Sequence, residues 1–180
     1  ELALAPAERA LQLDPTRNDY RLLRGMVARQ LHDYERAEEI LELALRDAPE
    51  DFYVRNQLAL VLAEQEDVDK RSRAVELARA NLKQYPSSPR ARSTLGWAYL
   101  QAGEPALEET TLREALQMDG RHADTLYFAA RAWEKRGRMD LARQAVQAAI
   151  AAPRPFHFRR EAQNWQETVL LKEPDLKKKP

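Results

Sequence analysis

The chain has 180 residues, 44% of them hydrophobic, with 29 basic residues against 29 acidic ones and no cysteine. That apolar share is enough for a sizeable core and excludes a disordered chain, while the balanced charge leaves no electrostatic footprint for nucleic acid or an anionic membrane. Without cysteine there are no disulfides, thiolate zinc sites or cysteine nucleophiles, and the compartment stays open between cytoplasm and periplasm.

Five glycines among abundant Ala, Leu, Glu, Arg and Gln favour helices over sheet, and apolar runs such as Leu58 to Ala63 are far too short to cross a membrane. The first stretch, Glu1 to Leu13, reads as a helix from about Pro6, closed by ALQLDP. Asn18 to Pro49 reads as two amphipathic helices, near Asp19–Leu31 and Tyr34–Asp47, joined by a tight turn and stopped by Pro49. Further helices are expected near Phe52–Glu66, Asp69–Gln84, Ser88–Ala102, Pro105–Gln117, Ala123–Arg136 and Met139–Ala151, with Gly103 and Gly137 in turns and Asp119 and Asp140 as capping groups. His157 to Leu171 forms one more amphipathic helix, with Phe158, Ala162, Trp165, Val169 and Leu170 on its apolar stripe. Lys172 to Pro180 reads as a mobile basic tail.

The pattern recurs. Pro15 and Pro49 are 34 residues apart, Pro49 and Pro86 are 37 apart, and two further steps of 34 reach Gly120 and Arg154. The longer step reflects an insertion around Asp69 to Arg73, expected to lengthen either a turn or the second helix. Small residues keep phase: Gly25, Ala59, Gly96 and Ala130 in the first helices, then Ala37, Ala74 and Ala142, followed by Ala44, Asn81, Ala115 and Ala149, in the second. A small residue at a fixed place in a helix marks where a partner helix comes close, and one hairpin of this size cannot bury its apolar face alone.

Leu95-Gly96 with Tyr99, then Leu112, Ala115 and Met118-Asp119, resembles the tetratricopeptide repeat family, and the resemblance covers roughly residues 1 to 154. Arg21, Arg55 and Arg92 stand where the family often has Trp, Glu108 replaces a small residue, and Gly120 and Arg154 replace the proline. The resemblance implies an all-α fold, an α-solenoid of helix-turn-helix repeats wound into a right-handed superhelix. Its repeats would span 18–51, 52–88, 89–122 and 123–156, after the second helix of a truncated leading repeat (1–17) and before a capping helix at 157–171. A chain that starts inside a repeat is expected to be a fragment of something longer.

In this family the first helices line a concave groove. That places Tyr53, Asn56, Arg90, Trp97, Gln101, Tyr127 and Arg131, with Arg29, in a peptide-binding groove, Trp97 being the expected anchor. Of five positions matching the clamp that holds a C-terminal carboxylate in some family members, only Arg90 fits, so recognition of an acidic C-terminus in that manner is not expected. His32, His122 and His157 are far apart in sequence, and no acid or histidine pair shows ligand spacing. The acid pairs Glu38-Glu39 and Glu108-Glu109 and the alternating Arg and Glu residues read as solvated charge. The expectation is a non-catalytic module with a protein or peptide partner, no cofactor, no metal, no nucleic acid and no membrane insertion, able to form a homo-oligomer. The alternatives are a structural spacer or self-association arm, and the non-catalytic C-terminal region of an enzyme.

Overall fold

The computed structural model describes residues 17–153 and 156–171, and the regular structure among them is helical. In order these are α1 (Asn18–Gln30), α2 (Tyr34–Asp47), α3 (Phe52–Ala63), α4 (Val68–Gln84), α5 (Pro89–Ala102), α6 (Pro105–Met118), α7 (Ala123–Lys135), α8 (Met139–Ala151) and α9 (Arg159–Leu171). The expected leading helix, the basic tail and Arg154 lie outside the described residues. Two compact units divide the chain, residues 1–111 and 112–180, with the division inside α6.

In the first unit α1 pairs with α2 and α3 with α4, while α2 rests on α3 and α4 on α5. Helix α3 lies beside both α1 and α5, which brings three first helices next to one another. In the second unit α7 pairs with α8, and α9 packs on α8.

The in-phase small residues sit where the pairing requires them. A methyl group at Gly25 would come within 2.6 Å of Leu41 Cγ, and Leu41 is fully buried. Ala37, Ala44, Ala59, Ala74, Ala115, Ala130, Ala142 and Ala149 are all 0% exposed, and Asn81, the polar member of the series, is buried too. The hydrogen of Gly25 and the methyl groups of these alanines let the paired helices approach closely, and close approach is what removes Leu41, Leu58 and Leu62 from water.

The turns repeat as well. His32, Gly103 and Gly137 hold φ of 59°, 78° and 70°, and the next residue's N–H reaches back five residues each time: Asp33 to Ala28 O, Glu104 to Tyr99 O and Arg138 to Trp133 O. This left-handed helix end satisfies carbonyls that the helix leaves open. Glycine does it without strain in the third and fourth repeats, whereas His32 holds the same conformation with a side chain, steadied by a 2.8 Å contact between its Nδ1 and the Tyr34 hydroxyl.

Helix starts differ from the expectation. Asp33, Asp51, Asp67 and Ser88 are side-chain caps, accepting respectively from Arg36 N, from Tyr53 N and Val54 N, from Lys70 N and from Ala91 N. Asp119 instead accepts from Arg121 N in a turn, and Asp140 lies inside α8, 3.5 Å from Arg143. The insertion lengthens the helix: α4 runs for 17 residues, and its first turn is anchored by Lys70 Nζ, which donates to Glu38 at 2.7 Å and to Gln65 at 2.7 Å.

Several charges expected in solvent are interior. Glu108 is 1% exposed, and Arg29 and Arg55 are 4% and 6% exposed. Arg29 pairs with Glu64 and reaches Gln57 at 3.4 Å, joining α1 to α3 through two side chains each 5% exposed. Arg55 donates to Asn81 at 3.1 Å, to Gln84 at 2.9 Å and to the Pro49 carbonyl, while Asn81 donates to Phe52 O at 3.1 Å. The Arg residues that replace the family's Trp thus share a task. Arg21 bonds Asp47, Arg55 bonds the end of α4 and the closing proline, and Arg92 donates to Pro86 O at 3.0 Å.

Gly25→Ala should lower unfolding free energy by roughly 1–2 kcal/mol, overpacking against Leu41 outweighing the gain of about 1 kcal/mol in helix propensity; Leu41→Ala in that background should lose less than it does alone, as read by denaturant unfolding. Glu64→Ala, which buries the Arg29 guanidinium without its carboxylate, should cost about 3–5 kcal/mol, whereas the pair Arg29→Met with Glu64→Leu should recover most of the loss.

Candidate interaction surface

Tyr53 sits in the first turn of α3, on the helix flanked by α1 and α5. It is 55% exposed, and its backbone N–H donates at 2.8 Å to Asp51, which caps the helix. Its ring meets Phe52 edge-on at 5.3 Å, and Phe52 in turn meets Tyr85 edge-on at 5.1 Å. From α5, the exposed Arg90 places its guanidinium 5.8 Å from the Tyr53 centroid. The result in the first unit is an aromatic step with a cation over it, a surface suited to both apolar and anionic groups.

One turn further along α3, on the face that carries Tyr53, stands Asn56. It is 2% exposed, and its Oδ1 is buried without a hydrogen-bond partner. Leu60, another turn on, is 7% exposed. The remaining expected groove residues of this unit behave differently. Arg29 is committed to Glu64, Gln101 is half-buried on α5, and Trp97 is only 5% exposed. Trp97 therefore belongs to the interior rather than to an open anchor point.

In the second unit the expected groove aromatic is covered. Tyr127 is 3% exposed and stacks on Phe158 at 4.7 Å and 14°, with Phe156 at 6.2 Å. Phe158 also meets Phe128 edge-on at 5.8 Å, so the residues just before α9 fill the space beside α7. Arg131 is tied to Glu134 at 2.9 Å, and Glu134 accepts from Trp165 Nε1 on α9. The sequence carried a signal for this cover in Phe156-His157-Phe158, two aromatics directly after the proline break.

A hollow of about 480 Å³ lies at the turn end of the first unit, lined by His32, Asp33, Tyr34, Glu35, Glu64, Gln65 and Glu66. Two of its four acids are already engaged, Asp33 as a cap and Glu64 with Arg29. Among the described residues no group of three His, Asp or Glu could hold a metal ion, and no helix is long and apolar enough to cross a membrane.

A tetratricopeptide repeat family model matches residues 1–52, 22–71, 69–120 and 109–156. No curated protein matches the chain. Among solved structures, TTC0263, a thermophilic repeat protein of this family from Thermus thermophilus, is similar with a TM-score of 0.75 at 18% identity, over 93% of this chain and 89% of that one. A tetratricopeptide repeat protein from Parabacteroides merdae gives 0.73 at 12% identity, over 93% and 63%. MamA from Desulfovibrio magneticus, residues 41 to the end, gives 0.59 at 16% identity, over 91% and 85%. At such identities the likeness carries the fold, and the family model, in four overlapping matches, carries the membership. The chain belongs to the tetratricopeptide repeat family, and its fold is an all-α solenoid of helix-turn-helix repeats.

Proposed function

We propose that this chain is a non-catalytic protein-interaction module that holds a segment of a partner protein against the first helices of its N-terminal unit. The observation that carries this reading is Tyr53, a large aromatic side chain 55% exposed on the helix between α1 and α5, with Arg90 over its ring. Tyr and Arg are the residue types that most often dominate binding energy, and here they stand together without being needed to close the core. The family is a scaffold whose typical role is protein binding, which supports the same reading.

The anchor is Tyr53 rather than Trp97 or Tyr127. Those two rings are 5% and 3% exposed, so a partner could reach them only after displacing the protein's own packing. Arg90 supplies orientation, since an exposed guanidinium favours an acidic or carbonyl-rich approach and adds more to rate and specificity than to affinity.

Panning a random linear dodecamer peptide library against the chain should recover specific binders. Tyr53→Ala and Arg90→Ala should each weaken them by roughly 1–3 kcal/mol, about five- to 150-fold, with far-ultraviolet circular dichroism unchanged. Recovery of no specific peptide, or binders indifferent to both substitutions, contradicts the proposal.

A further inference from the structure

We infer that the segment held at Tyr53 is proline-rich, docks in the polyproline II conformation on the rings of Tyr53, Phe52 and Tyr85, and carries an aspartate or glutamate that meets Arg90. This inference rests on the interaction-module reading and names the chemistry of the partner. The ring surface is open, with Tyr53 55% and Tyr85 39% exposed. Both rings meet the half-buried Phe52 edge-on, at 5.3 Å and 5.1 Å, so their centroids are no farther apart than those two distances laid end to end. One turn of polyproline II covers three residues and about 9 Å, which lets prolines at i and i+3 reach both tyrosines.

Hydrogen-bonding capacity selects the same ligand. Among the described residues, the Tyr53 and Tyr85 hydroxyls and the Arg90 guanidinium have no hydrogen-bond or ion-pair partner. The acceptors beside them are already engaged. Asp51 accepts from Tyr53 N and Val54 N, and the Pro49 carbonyl accepts from Arg55, to which Glu50 also turns at 3.4 Å. The Pro86 carbonyl accepts from Arg92 at 3.0 Å, and Tyr85 O from Ser88 N at 3.0 Å. The surface therefore presents more donors than free acceptors. A helical partner has spent its main-chain carbonyls on its own N–H groups, and an ordinary extended one brings N–H groups that find little here to accept them. A proline-rich segment keeps its carbonyls open and has no N–H at each proline, while its rings rest on aromatic faces and its fixed φ leaves less to order on docking. Arg90 is exposed, 5.8 Å from the Tyr53 centroid, and has no carboxylate of its own, so a partner carboxylate completes the charge.

Three fluorescein-labelled probes, read by anisotropy, test this: a nonaproline with two glutamates at each end, the same peptide with lysines for the glutamates, and the same peptide with alanines for the prolines. The glutamate-flanked oligoproline should bind about tenfold more tightly than either other probe. Tyr53→Ala should weaken it about tenfold. Tyr53→Phe and Tyr85→Phe, which keep the rings and the fold, should each weaken it about two- to fivefold through the lost hydroxyl. Arg90→Gln should abolish the preference for glutamate over lysine flanks while the preference for proline over alanine persists. Equal binding of the proline and alanine probes, or unchanged affinity in all three tyrosine variants, overturns the inference. Failure of the oligoproline to bind while library-selected dodecamers still depend on Tyr53 and Arg90 overturns it as well and leaves the interaction-module reading in place. Binding of neither the oligoproline nor any dodecamer overturns both.

Discussion

Close approach of paired helices is the constraint on which the rest of this structure depends. At Gly25 there is no room for even a methyl group beside Leu41, and the alanines in phase with it in both units have no exposed surface. Hairpins built from helices of 12 to 17 residues are marginal by themselves, so their stability has to come from burying a seam along each pair and a second seam between neighbours. Small residues make the first seam narrow enough for leucines and valines to close the second. The left-handed turns at His32, Gly103 and Gly137 then bring α2, α6 and α8 back in the same way.

Polar groups do the registering. Where the family commonly places an indole, the N-terminal unit has Arg21, Arg55 and Arg92, which reach the ends of second helices and the carbonyls of Pro49 and Pro86. A guanidinium has five donors in a fixed fork and can satisfy several helix-end acceptors at once, which an indole with a single N–H cannot. The buried Arg29–Glu64 pair acts similarly between α1 and α3. Such a pair adds little net stability, because both charges have been taken out of water, although removing one partner alone is costly.

Much of the fold was legible in the sequence. The 34-residue spacing and the phase of Gly25, Ala37 and Ala44 specify hairpins, and helix ends from α1 to α8 fall within a few residues of their expected places. The surface was much less legible. Trp97 and Tyr127 occupy groove positions by spacing, yet both are interior, because helical periodicity gives the face of a residue but not what packs over it. For Tyr127 the cover is Phe158, contributed from outside the repeat pattern. The interior place of Glu108, and of the Arg29–Glu64 pair, was hidden for a related reason: a charge pattern cannot distinguish a solvated face from a buried network whose members lie some 35 residues apart. Caps at Asp33, Asp51 and Asp67 follow the local rule, whereas Asp119 and Asp140 do not, since a carboxylate near a helix start caps only from the residue just before it.

Because the natural chain has no cysteine, single cysteines can report directly on the seams. The most direct measurement is the rate of thiol labelling in native buffer of Ala37→Cys, Ala59→Cys and Ala78→Cys beside Tyr53→Cys. The account predicts that Tyr53→Cys reacts at the rate of a free thiol, while the three seam positions, each 0% exposed in the wild type, react only when their helix pairs open and therefore far more slowly. Seam cysteines that label as fast as position 53 would contradict the close pairing from which everything else follows.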